Sequence, residues 1–129
     1  MTDPAVENAF LASWERAEAY YEWWAEKRHH EWLAPMVGFV RQLRGRGYDR
    51  IFRHGHALHF LVLSRSLEHG LRPTQPFIDF WPREDGGMTV HCQLREAGGV
   101  LQRSLELRDV ALTPELDQLL DRLATEPID

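Results

Sequence analysis

The 129-residue chain has little that would place it outside ordinary globular proteins. It holds one cysteine, Cys92, so no internal disulfide can form, and a reducing, cytoplasmic setting is the expectation. No apolar run approaches the roughly 20 residues that span a bilayer, so no membrane partner is expected. Met1-Thr2-Asp3-Pro4 shows no basic stretch followed by an apolar one, so no secretory leader is expected either. Lysine is almost absent. Lys27 is the only one among 15 basic residues, and the rest are arginine, which coding bias explains as well as phosphate recognition does. There is no Gly-x-Gly-x-x-Gly, no Gly-Lys-Ser/Thr phosphate loop and no Gly-x-Ser-x-Gly elbow.

What is present is a composition of 43% hydrophobic, 27% charged and 11% aromatic residues, enough for one packed domain over residues 1–129. The net charge is −5 but unevenly spread. Both ends of the chain are acidic, whereas residues 34–72 carry seven arginines against two acids.

Asp3 is a helix cap and Pro4 suits the first helical position. At 100° per residue, Val6, Phe10, Trp14, Ala17, Tyr21, Trp24 and Trp32 fall within about 40° of one direction, which predicts a long amphipathic helix. Pro35 should kink or break it, and Met36–Leu43 forms a second helical segment stopped at Gly45 and Gly47. Trp23 projects away from the stripe beside Tyr20 and Lys27, the composition of an interface anchor. Arg28 falls inside the stripe and needs an acid or an anion.

Asp85-Gly86-Gly87 and Glu96-Ala97-Gly98-Gly99 separate three strand-like runs, Phe77–Arg83, Met88–Arg95 and Val100–Val110. Aligning their apolar sets requires an odd first loop, placed as a three-residue turn at Asp85–Gly87, and an even second loop pairing Leu94 with Leu101 and Val90 with Leu105. One face is then apolar. The other shows Asp79, Trp81, His91, Gln93, Gln102, Ser104 and Glu106. Ile51–Ser66 reads as a hairpin turning at His54-Gly55, with a buried helix over Ala57–His69 as the competing assignment. Thr113, Pro114 and Leu116, Leu119, Leu120 and Leu123 define a C-terminal helix. The fold expected is α+β and two-layered: the long N-terminal helix, kinked or broken at Pro35, and the C-terminal helix pack on one face of an antiparallel meander of about four to five strands.

Three chemistries are then weighed. His54, His56, His59 and His91 are the candidate metal set, but no spacing fixes a third ligand, so neither metal nor cofactor is expected. His30-Glu31 lacks the second histidine of a zincin helix, and Glu26 with His29 supplies only one of the elements a di-iron bundle needs. Cys92 and His91, adjacent on a strand, point to opposite faces and form no dyad. Enzyme activity is disfavoured. The register places Arg103 opposite Cys92 on the inward face, so Arg28 and Arg103 would line an anion-binding cleft if helix and sheet pack together. Arg41, Arg44, Arg46, Arg50 and Arg53, with Tyr48 and Phe52 between them, form the best nucleic-acid signal. The acidic flanks weaken that reading. The leading expectation is a non-enzymatic protein-binding module, self-associating as a homodimer or adaptor- or chaperone-like, using Tyr20, Trp23 and Lys27.

Overall fold

The computed structural model describes residues 3–68 and 72–129. Its element order is α1 (Pro4–Ser13), α2 (Ala17–Ala25), α3 (Pro35–Gly45), β1 (Arg53–Ala57), β2 (Phe60–Ser64), β3 (Phe77–Pro82), β4 (Met88–Glu96), β5 (Gly99–Leu107) and α4 (Pro114–Ala124). The five strands form one antiparallel sheet in the order β1-β2-β3-β4-β5, and the helices cover one face, as the apolar patterning requires.

Local signals set the helix starts. The Asp3 carboxylate accepts from the Ala5 amide at 2.9 Å, the Thr113 hydroxyl accepts from Leu116 at 3.2 Å, and Pro4, Pro35 and Pro114 each open a helix. The long N-terminal helix is bent and interrupted rather than continuous. Ser13 turns its hydroxyl back to the Phe10 carbonyl at 2.6 Å, and a tight turn over Trp14–Arg16 separates α1 from α2. A second break follows Ala25, where His29 adopts a left-handed φ of 68°. Pro35 thus opens α3 instead of ending the preceding helix. The bends let Phe10, Trp14, Ala17 and Tyr21 all remain buried. The Trp14 indole also donates to the Phe52 carbonyl at 2.9 Å in the interior.

Register on the second hairpin is as expected: Leu94 faces Leu101, Val90 faces Leu105, and Cys92 faces Arg103. The first hairpin keeps the expected parity, but its loop is Glu84–Gly86 rather than Asp85–Gly87, because the Arg83 amide donates to the Gly87 carbonyl at 2.9 Å. At Gly87 an added Cβ would sit 2.5 Å from the Leu107 carbonyl, so the hairpin end closes on β5 only with glycine there. The β1–β2 turn lies at Leu58–His59, not at His54-Gly55, which are interior to β1. Burying His54 against α1 outweighs the local turn preference of Gly55. The competing helix from Ala57 is absent through Glu68, and its last residue, His69, lies outside the described residues.

Phe39 meets Phe80 edge-on at 5.0 Å where α3 crosses the sheet. Asp117 ties α4 to the end of α3 through Arg46 and Tyr48, each at 2.8 Å. Burial and the Asp117 carboxylate together push the Tyr48 phenol above its ordinary range. Among the described residues, no helix is long and apolar enough to cross a membrane.

Candidate functional site

Tyr20 and Trp23 lie three residues apart on α2, and Lys27 follows just beyond its end at Ala25. Trp23 is 53% exposed, and the Lys27 ammonium lies 4.2 Å from its ring centroid. Tyr20 stacks on His56 at 3.7 Å, and its hydroxyl donates to the Leu58 carbonyl. Leu58 sits at the β1–β2 turn with φ 53° and is 72% exposed. An apolar turn tip is therefore pinned beside an apolar helix face.

Behind this face lies a cluster that sequence reasoning missed. The His59 ring meets Trp24 at 4.6 Å, Trp32 at 5.2 Å and His30 at 5.3 Å. Burial, with His30 close by, pushes the His59 imidazole below its ordinary pKa. No sequence spacing brings these four together, because the turn after α2 and the β1–β2 turn meet only in three dimensions.

The other candidate histidines divide between the two faces of the sheet, with His54 and His56 5.6 Å apart on one and His91 on the other. His54 is buried on the helix-facing side of β1, with Nδ1 3.0 Å from the Ser13 carbonyl, whereas His91 lies on the opposite face of the sheet. Among the described residues, no three histidine, cysteine or acidic side chains gather to hold a metal. Arg28 is not in an apolar stripe, since α2 ends at Ala25 and leaves it in an exposed turn. Arg103 is at the inward rim of β5, as its register requires, and pairs with Glu115 of α4 at 3.2 Å. The turn after α2 packs at the β1–β2 end and Arg103 on the far edge strand, so the two guanidinium groups share no cleft.

The basic segment is stitched to the acidic ends of the chain. Arg41 meets Glu22 at 3.5 Å, Arg44 meets Glu18 at 3.0 Å and Asp49 at 3.3 Å, Arg46 meets Asp117, and Arg50 meets Glu7 at 3.1 Å. Arg53 donates to the Leu67 carbonyl at 2.8 Å. These pairs cancel the local positive charge that phosphate binding would need.

The uncovered face of the sheet carries a groove of about 540 Å³. Asp79, His91 and Ser104 lie directly across from one another on β3, β4 and β5. Asp79 accepts from His91 Nδ1 at 3.0 Å. Among the described residues no hydrogen bond joins Ser104 to His91. Cys92 faces the helices, and burial pushes its thiol above the ordinary range. Trp81 stacks on Phe60 with centroids 4.0 Å apart and planes 3° from parallel. Gln93 is buried under the 72–76 loop, donating to the Pro73 and Gln75 carbonyls at 3.0 and 2.9 Å, and it accepts from Gln102 at 3.0 Å. Set against known proteins, the chain matches no family model, no curated protein and no solved structure.

Proposed function

We propose that the chain is a non-enzymatic protein-binding module that self-associates through Tyr20 and Trp23 of α2, Lys27 just beyond it, and the Leu58 turn that Tyr20 holds. The observation that carries this reading is the exposed Trp23 ring, held under Lys27, on the same helix as Tyr20, whose hydroxyl reaches the turn of Leu58, the most exposed large apolar side chain among the described residues. Apolar surface of this kind gathered at one place marks a contact surface, and covering a Trp or Leu contributes on the order of 2–3 kcal/mol. Tryptophan and tyrosine with a cation are the residue types that dominate interface energies. The helix and turn are held together by Tyr20, so little ordering is lost on association.

Light scattering behind size exclusion tests it. The unmodified chain is expected to be dimeric at high micromolar concentration, and Trp23→Ala combined with Leu58→Ser monomeric, with unchanged far-UV circular dichroism. A wild-type chain that stays monomeric up to about 1 mM, where even a 4 kcal/mol association would show, overturns the proposal.

A further inference from the structure

The second surface is the open sheet face, which the first does not use. Its groove has a volume within the range of small-molecule sites. The charged groups of its lining already have partners: the Asp79 carboxylate accepts from His91 Nδ1–H, and the Arg103 guanidinium meets Glu115. Among the described lining residues, an anionic ligand meets Arg103 only in competition with Glu115, and a cationic one meets Asp79 only in competition with His91. What the groove offers is a set of oriented neutral groups. The His91 Nδ1 proton goes to Asp79, which leaves Nε2 as an acceptor. The Gln102 amide group donates to Gln93, which leaves its carbonyl oxygen for the groove. The Ser104 hydroxyl lies beside them, across from His91.

The apolar component is a single rigid ring. Trp81 is braced on one side by Phe60 at 4.0 Å, while its directly paired neighbour on the other side is the small Thr89. It is 40% exposed, and the His91 ring stands edge-on to it at 5.4 Å. A purely apolar ligand would strand His91 Nε2, Gln102 and Ser104 away from water, at about 1–3 kcal/mol each. A ligand with an apolar C–H face and several hydroxyl donors satisfies both components. Its C–H face lies on the indole while its hydroxyls reach the acceptors.

We propose that this groove binds a neutral polyhydroxylated ligand, a mono- or oligosaccharide, with Trp81 as its platform and His91, Gln102 and Ser104 as its hydrogen-bond partners. Asp79 is a positioning residue, acting through His91. The braced platform and the buried Gln93 anchor preform the site, so binding needs no rearrangement of the sheet.

The test is heteronuclear NMR titration of the full chain with glucose, galactose, N-acetylglucosamine, cellobiose and maltose, with adenosine and citrate as planar and anionic controls. At least one sugar is expected to shift the Trp81 indole and His91 resonances saturably, and Trp81→Ala is expected to weaken that binding by about tenfold, the equivalent of one lost stacking contact. Gln102→Ala, at an exposed position, gives a second readout that does not rely on the aromatic pair. Absence of any sugar-induced shift at these residues up to about 50 mM overturns the proposal. So does binding of adenosine or citrate there in place of the sugars, or sugar binding that survives both substitutions unchanged.

Discussion

His54 makes folding stability depend on pH between neutrality and pH 4, and the size of the effect follows from its surroundings. The ring is buried between Trp14, at 5.1 Å, and His56, at 5.6 Å. One nitrogen is satisfied by the Ser13 carbonyl, while Nε2 has no hydrogen-bond partner among the described residues. Protonation would place a charge on a desolvated ring near His56 and Arg44, and these effects outweigh the favourable Ser13 contact, so its pKa is pushed down to about 4 from 6.5. Above pH 6.5 neither state is protonated and the full stability is present. As pH falls below 6.5 the unfolded chain binds a proton that the native state refuses until about pH 4, so stability is lost across that window. At about 1.4 kcal/mol per pKa unit the full loss is about 3 kcal/mol, with about 2 kcal/mol gone by pH 5. Urea unfolding at pH 7.5 and 5.0 measures this as a midpoint drop of about 1 M. His54→Gln keeps an amide donor toward Ser13 but does not titrate, so its own pH-dependent drop should be smaller by about 2 kcal/mol. His59 is also pushed down, but it contributes equally to both proteins and cancels in the difference. Equal losses in wild type and variant would refute the reasoning.

Two further stability measurements check the packing argument. Arg44, which bonds Glu18, Asp49 and the Trp14 carbonyl, should cost about 1–2 kcal/mol when changed to Gln, whereas the exposed Arg41→Gln should stay within about 0.5 kcal/mol; denaturant midpoints compare them. Trp14→Phe removes the interior indole bond to Phe52 and opens space in the core, so thermal and urea unfolding should show a loss of about 2–3 kcal/mol.

That Asp79 and His91 share one face was readable from alternation alone, because a one-residue slip on a half-covered sheet would expose Val90, Cys92 and Leu94 together. Their direct pairing was not, since a turn at Glu84–Gly86 instead of Asp85–Gly87 shifts the register by two residues and leaves the faces unchanged. The polar face holding Trp81, Gln93, Gln102 and Ser104 followed from the same parity. That a loop would fold over Gln93, or that Phe60 would brace Trp81, did not follow, since both depend on connections whose shape local patterning does not specify. Arg28 shows the opposite failure. A 3.6-residue period extrapolated past Ala25 put it in the core, but the chain turns at His29, and periodicity carries no information beyond the end of a helix.

The order of the residues alone determined the α+β class, the helix starts at capped prolines and the faces of β3, β4 and β5, all of which rest on contacts within a few residues or on strict alternation. Tertiary structure decided where the N-terminal helix bends, which turn closes the first hairpin, and which partners the arginines take. Those outcomes balance local preference against burial and charge pairing between segments tens of residues apart, as when Glu7 meets Arg50 and Asp117 meets Arg46.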